Sequence, residues 1–170
     1  MNPYKNLAKK AVEEYVKTGK KIAVPEDLPR EFYDSRAGVF VTLSKKKKLR
    51  GCIGTVIATE KSLAKEIIEN AISAAVKDNR FDPVKEKELN DLSYEISILQ
   101  KPKTVKSLDE LDPKKYGLII RTANGKSGLL LPEIEEIDSV EKQIAIAASK
   151  GGIDPRKEQI ELYRFEVNKF

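Results

Sequence analysis

The stretch Gly38-Val39-Phe40-Val41-Thr42-Leu43-Ser44-Lys45-Lys46-Lys47-Lys48-Leu49-Arg50-Gly51-Cys52-Ile53-Gly54 decides the fold of this chain. Two runs of strand-forming residues, 38–43 and 49–57, flank four lysines, a pattern typical of a β-hairpin with a basic tip. A second hairpin is predicted around Asn124-Gly125, and further strands are predicted over 94–99 and 162–167. Hairpins joined by helices, without regular βαβ alternation, predict an α+β fold with a mainly antiparallel sheet flanked by helices.

Three helices are predicted from apolar residues at helical spacing. The first follows Asn2-Pro3 and stops at Gly19, the second begins after Ser62 and extends to about residue 77, and the third occupies 139–150. Residues 22–32 are predicted to form an irregular connection because they contain two prolines. A chain of 170 residues is long enough for one good core and short for two independent domains, so we predict a single domain.

The composition favours a globular, heavily charged protein. Charged residues make up 35% of the chain and the formal net charge is +5, but lysines and glutamates are interleaved, which favours a solvated surface over a nucleic-acid interface. High lysine and glutamate content is typical of thermophilic proteins. The chain shows no signal peptide and no long apolar run, so we expect a cytoplasmic protein with no membrane association.

The chain contains no histidine and one cysteine, Cys52, which excludes several kinds of site. Ser-His-Asp and Cys-His catalysis and imidazole-bearing zinc or iron sites all require a histidine. No glycine fingerprint joins a strand to a helix, as nucleotide-binding loops require. We therefore predict no metal and no cofactor, and we expect any chemistry to use Cys52, carboxylates, lysine, arginine or tyrosine.

The segment 49–54 carries the strongest candidates for function. On a strand alternate side chains point the same way, which predicts that Leu49 and Ile53 are buried while Arg50 and Cys52 share the opposite face. A neighbouring cation favours thiolate over thiol, so Arg50 would make Cys52 more nucleophilic. The alternative is that Cys52 is a small buried apolar residue and that the adjacent glycines serve packing.

Other polar residues complete the candidate site. Glu95 and Ser97 share one face of the predicted strand 94–99, where Glu95 is either a proton donor and acceptor or a simple edge charge. Asp78 and Arg80 form either an ion pair at a helix end or one wall of a polar site. Beside the catalytic candidates Cys52, Arg50 and Glu95, the predicted binding residues are Gly51, Gly54, Asp78, Arg80 and Ser97.

The segment Leu49-Arg50-Gly51-Cys52-Ile53-Gly54 resembles the signature of the AMMECR family, named after the human Alport syndrome, midface hypoplasia and elliptocytosis chromosomal region. Segments 37–43, 78–81, 95–99 and 128–132 resemble further blocks of the family in the same order. The resemblance implies one AMMECR-type domain over 1–170, of thermophilic archaeal type, with two subdomains and the signature near a cleft between a larger part and a smaller lobe. It also implies relatedness to protein A of the AmmeMemoRadiSam set, whose partners would be a Memo-type protein and a radical SAM protein.

Three hypotheses about function follow, because the resemblance implies no established activity. In the first, an enzyme or enzyme accessory uses Cys52 as nucleophile or covalent anchor, Arg50 stabilises an anion and Glu95 transfers a proton. In the second, the same region of a non-catalytic module docks a Memo-type or radical SAM partner. In the third, the lysine-rich surface binds nucleic acid.

Overall fold

The computed structural model describes residues 2–170, and within them the chain forms four α-helices and eight β-strands. The helices are α1 (Pro3–Thr18), α2 (Glu31–Asp34), α3 (Leu63–Val76) and α4 (Val140–Lys150). The strands are β1 (Val39–Lys45), β2 (Lys48–Gly54), β3 (Leu92–Leu99), β4 (Lys103–Thr104), β5 (Gly117–Thr122), β6 (Ser127–Leu130), β7 (Ile160–Phe165) and β8 (Val167–Lys169). Two short 3-10 helices, Glu86–Asp91 and Leu108–Glu110, complete the regular structure of this part of the chain.

The chain divides into two compact units, of which the first extends to Leu99 and also takes in Asn168–Phe170. Its four-stranded sheet has the order β2-β1-β3-β8, with β1 antiparallel to both β2 and β3. Helices α1 and α3 pack on one face of this sheet and bury a common apolar core. The opposite face is the one that carries the candidate site.

Both long helices of the first unit begin and end where the sequence predicts. The Asn2 side chain accepts a hydrogen bond from the Tyr4 amide at 3.0 Å, and Gly19 ends α1 with a left-handed φ of 73°. Helix α3 begins after Ser62, whose hydroxyl accepts from the Lys65 amide at 3.4 Å. These local caps fix the helix bounds, and burial of their apolar stripes holds them on the sheet.

The second unit, Gln100–Val167, is built on another four-stranded sheet of order β4-β7-β5-β6. All three pairings in this sheet are antiparallel. The hairpin β5–β6 turns through Asn124-Gly125, where Gly125 has a φ of 89°, as its sequence predicts. Helix α4 packs on β5 and β6 over a separate apolar core that includes Leu118, Ile120 and Ala147.

The predicted α+β class with mainly antiparallel pairing is confirmed, with two sheets where one was predicted, and three local predictions are wrong. Leu49 is 44% exposed rather than buried, because the register of β1 and β2 shifts after Leu43. The extra residue in β2 reverses the alternation of side chains, so Leu49 pairs with Ser44 on the outer face. The strand predicted over 49–57 ends at Gly54, and the irregular connection over 22–32 runs into the short helix α2.

The tip of the hairpin β1–β2 is a two-residue turn of lysines. Lys46 and Lys47 both have positive φ values, 50° and 64°, as a type I′ turn requires. Asparagine and glycine adopt this conformation more readily than lysine. No helix within residues 2–170 is both long enough and apolar enough to cross a bilayer.

Candidate functional site

The main chain of Cys52 is held by two side chains of the segment that follows α3. The Cys52 amide donates to Asp78 Oδ2 at 2.8 Å, and Arg80 Nη2 donates to the Cys52 carbonyl at 3.4 Å. Arg80 also donates to both oxygens of Asp78, through Nε at 2.9 Å and Nη2 at 2.7 Å. The predicted residues Cys52, Asp78 and Arg80 therefore lie together in one hydrogen-bonded group, which we call the Asp78–Arg80 bracket.

The Cys52 side chain lies on the outer face of the sheet, half-buried, beside a hydroxyl group. Thr42 is directly opposite Cys52 in β1, and its Oγ1 is 3.2 Å from the cysteine Sγ. Either atom can donate in this contact. A thiolate at this position would accept a hydrogen bond from the threonine hydroxyl, which makes Thr42 the side chain best placed to stabilise it.

Glu95 lies in the same cross-strand row but on the far side of Thr42. The register pairs Thr42 with Cys52 in β2 and with Glu95 in β3, so all three share the outer face. Paired positions are separated by roughly 5 Å, which puts Glu95 about 10 Å from Cys52. Glu95 is exposed, so its carboxylate could contact a ligand lying across the row but is too distant to touch the thiol.

Arg50 is engaged by a carboxylate of the 3-10 helix Glu86–Asp91. Its Nε and Nη2 donate to the two oxygens of Glu88 at 3.1 and 3.0 Å, and Lys45 Nζ also reaches Glu88 at 3.1 Å. Arg50 is the residue that the register shift leaves without a partner in β1. Its charge is thus neutralised by Glu88, and the exposed cation bound to the Cys52 main chain is Arg80.

An aromatic ring lies against both arginines. The guanidinium carbon of Arg50 is 6.0 Å from the centre of the Phe81 ring, and that of Arg80 is 5.6 Å from it. Cations over an aromatic face are attracted by its electron density. Phe81 therefore links segment 78–81 to the strand that carries Cys52.

Ionisation in this region follows from these contacts. The hydrogen bond from Arg80 keeps the pKa of Asp78 far below its usual range, although burial opposes this, and the Cys52 amide adds to the lowering. The pKa of Arg80 is raised, chiefly by Asp78, with a smaller contribution from the charge of Cys52. The hydrogen bond from Arg50 lowers the pKa of Glu88 to about 2. Asp78, Arg80 and Glu88 are therefore ionised at neutral pH.

The remaining predicted binding residues occupy packing positions. A Cβ at Gly51 would lie 2.1 Å from the Ala74 carbonyl oxygen, so Gly51 lets α3 approach the sheet. A Cβ at Gly54 would meet the Phe40 ring at 2.3 Å, and that ring covers the outer side of the strand. Ser97 is 3% exposed in β3, directly opposite Phe40.

Sequence reasoning missed Thr42, Glu88 and Glu66. Thr42 was detectable only from the β1–β2 register, and Glu88 only from the position of the 3-10 helix. Glu66 is 1% exposed and accepts hydrogen bonds from the Thr59 and Glu60 amides at 2.8 and 2.7 Å, which orders the connection between β2 and α3. Among the described residues, no three Cys, Asp or Glu side chains cluster as a metal site would need.

These features define an α+β protein with two antiparallel sheets and a single cysteine displayed on one of them. The chain belongs to the AMMECR1 family, whose model matches residues 5–170. It is 46% identical over 170 residues to a protein of Thermotoga maritima, covering 99% of this chain and 97% of the relative. A Clostridium acetobutylicum protein is 42% identical over 92% of this chain, which corresponds to 33% of that longer protein.

Solved structures agree with this assignment. The crystal structure of an uncharacterised protein from Pyrococcus horikoshii matches with a TM-score of 0.87 and 36% sequence identity. The match covers 98% of this chain and 88% of the other. Thermophilic bacteria and archaea are therefore represented among the relatives, and the names of these proteins state no activity.

Proposed function

We propose that the protein acts through Cys52, which serves as nucleophile or covalent anchor for a ligand on the outer face of the first sheet. The observation that carries the proposal is the contrast between the main chain and the side chain of this residue. Its amide and carbonyl are both fixed by the Asp78–Arg80 bracket, whereas its thiol lies beside Thr42 in a residue that is only half-buried. A backbone held in place at an incompletely buried cysteine is the preorganisation that a nucleophile needs.

The neighbouring side chains suggest a division of roles. Thr42 would stabilise the thiolate, because its hydroxyl is within hydrogen-bond distance of Sγ. The side chain of Arg80 is 54% exposed and would bind a negatively charged group of the ligand. Glu95 would transfer protons only to the far end of a ligand that spans Thr42, and Arg50 would position β2 through Glu88 rather than contact the ligand.

Alkylation of the single cysteine tests this proposal directly. We expect iodoacetamide to modify native Cys52 about tenfold faster at neutral pH than it modifies N-acetylcysteine, measured by mass spectrometry. Thr42→Val should slow the reaction severalfold, because the thiolate loses a hydrogen-bond donor while the side chain keeps its shape. Arg80→Gln should also slow it, because the cation bound to the Cys52 main chain is removed. The charge-matched control is Arg30→Gln, at an exposed arginine remote in sequence, which should react like the unmodified protein.

Two results would contradict a role for the thiol. The first is a native rate at or below that of N-acetylcysteine. The second is a fast rate that neither Thr42→Val nor Arg80→Gln alters, since the arrangement around Cys52 would then be irrelevant to its reactivity. Circular dichroism of each variant verifies that the fold is retained.

A second candidate function is docking of a protein partner, such as a Memo-type or radical SAM protein. The observation that favours it is exposed apolar surface near both ends of β2: Leu49 is 44% exposed and Ile57 is 63% exposed. Purified candidate partners should bind the unmodified protein and Cys52→Ser equally, and should lose affinity for Leu49→Ser/Ile57→Ser. Loss of binding with Cys52→Ser alone would instead favour the covalent function.

A further inference from the structure

The second unit contains a cavity that is independent of the Cys52 site. Its volume is about 260 Å³, and its lining residues are Gln100, Lys101, Lys103, Tyr116, Arg164, Phe165 and Glu166. All of them belong to the second unit. A cavity just below the usual volume range of ligand sites fits a small molecule rather than an extended chain.

Three cations line this cavity. Lys103 in β4 is directly opposite Arg164 in β7, so the two side chains project from the same face of the sheet. Lys101, two residues before Lys103 in the chain, also lines the cavity. Like charges opposite each other on neighbouring strands destabilise a sheet. A bound anion would offset the repulsion between these like charges.

Nearby carboxylates do not supply that anion. Glu166 is the one acidic residue among those lining the cavity, against three cations. Glu110 approaches Arg164 Nη2 only to 3.9 Å, and its Oε1 already accepts from the Lys106 and Ser107 amides. Among the ion pairs of residues 2–170, none involves Lys101 or Lys103.

Apart from its long ion pair with Glu110, Arg164 is held in place by uncharged groups. Its Nη1 donates to the Glu110 carbonyl at 2.6 Å, and its guanidinium carbon is 4.5 Å from the centre of the Tyr116 ring. A carbonyl and an aromatic face orient a guanidinium but leave its charge in place. Side chains of this kind are preorganised for binding oxyanions.

We propose that this cavity binds a small molecule through a phosphate monoester, with Lys101, Lys103 and Arg164 as its ligands. A phosphate monoester is doubly charged near neutral pH, and the cations of the cavity exceed its carboxylate by two. The geometry of a fixed guanidinium flanked by two flexible ammonium groups suits its three terminal oxygens.

Nuclear magnetic resonance titration tests the proposal, with phenyl phosphate as the probe and benzoate as a singly charged probe with the same ring. Phenyl phosphate should shift the amide signals of Lys103, Tyr116 and Arg164 saturably, and benzoate should bind much more weakly. In Lys101→Gln/Lys103→Gln the dissociation constant should rise about tenfold or more, because two charge-assisted contacts are lost. In Lys150→Gln, which removes an exposed lysine of α4, it should change by less than about twofold.

Three results would overturn the proposal. One is equal binding of phenyl phosphate and benzoate, which would remove the selection for a dianion. Another is unchanged affinity in Lys101→Gln/Lys103→Gln, with dispersed amide signals showing that the variant is folded. The third is displacement of phenyl phosphate by single-stranded oligothymidylate at equal phosphate concentration, which would make the cavity part of a nucleic-acid surface.

Discussion

The two units differ in how their arginines and lysines are paired with carboxylates. Around Cys52 in the first unit, each guanidinium has its own carboxylate: Arg50 is paired with Glu88, and Arg80 with Asp78. In the cavity of the second unit, Lys103 and Arg164 are opposite each other and no comparable carboxylate offsets them. The difference teaches that the charge pairs around Cys52 hold the backbone in position, whereas the cavity keeps an excess of cations over carboxylates, which an anionic ligand would offset.

The largest expected effect is at the Asp78–Arg80 bracket. Asp78→Ala removes the acceptor of the Cys52 amide and leaves Arg80 without its carboxylate, so the free energy of unfolding should fall by about 2–4 kcal/mol. Urea unfolding followed by circular dichroism measures this, because the chain has no tryptophan. Asp82→Ala, at an exposed neighbour, should stay within about 0.5 kcal/mol of the unmodified protein. Equal effects of the two substitutions would refute the structural role of the bracket.

A smaller effect is expected at Glu88, together with a dependence on pH. Glu88→Gln should lower the free energy of unfolding by about 1–2 kcal/mol at neutral pH, because Arg50 loses a charged acceptor. The pKa of Glu88 is about 2 in the folded protein against an ordinary value of 4.5. Its contribution is therefore complete above about pH 4.5 and is lost as the pH falls through the folded pKa.

The pH dependence gives the Glu88 prediction its control. The free energies of unfolding of the unmodified protein and of Glu88→Gln should converge as the pH is lowered through about 2, because Glu88 then becomes protonated in the folded protein as well. The control is Glu86→Gln, two residues away and exposed. Its free energy of unfolding should stay close to that of the unmodified protein at every pH. A Glu88→Gln effect that is constant with pH would show that charge is not its cause.

The smallest effect on the free energy of unfolding is expected in the second unit, where the change is stabilising rather than destabilising. Without a ligand, Lys103→Gln should leave the free energy of unfolding unchanged or raise it by a few tenths of a kcal/mol, because a like-charge pair with Arg164 is removed. The gain should be largest at low ionic strength. Destabilisation by Lys103→Gln would show that this lysine has a compensating partner and would end the contrast between the units.

Local sequence signals predicted helices α1, α3 and α4 and both hairpins because their determinants are close in the chain. Asn2, Gly19 and Ser62 act on backbone groups within a few residues of themselves. The placement of Leu49 failed because a register shift depends on how two strands pair, which the alternation of one strand does not reveal. Alternation along β2 still put Cys52 on the outer face, since that residue lies beyond the shift.

The sequence predicted which residues form the candidate site better than it predicted which of them contact each other. Cys52, Asp78 and Arg80 were all identified from the sequence, and the structure brings them together. The cation nearest the Cys52 main chain is Arg80 rather than the adjacent Arg50, because Glu88 engages Arg50 from a segment 38 residues away. Long-range pairings of this kind follow from tertiary packing and leave no pattern in the chain.

The Asp78–Arg80 bracket also blocks the edge of the first sheet at Cys52. Strand β2 is the last strand on its side of the sheet, so the Cys52 amide and carbonyl would otherwise face outward as an open template. The Cys52 amide donates to Asp78 and its carbonyl accepts from Arg80. Because both partners are side chains, they do not continue the sheet as a further strand would. At Cys52 the edge strand β2 therefore offers no free main-chain donor or acceptor to a strand of another molecule.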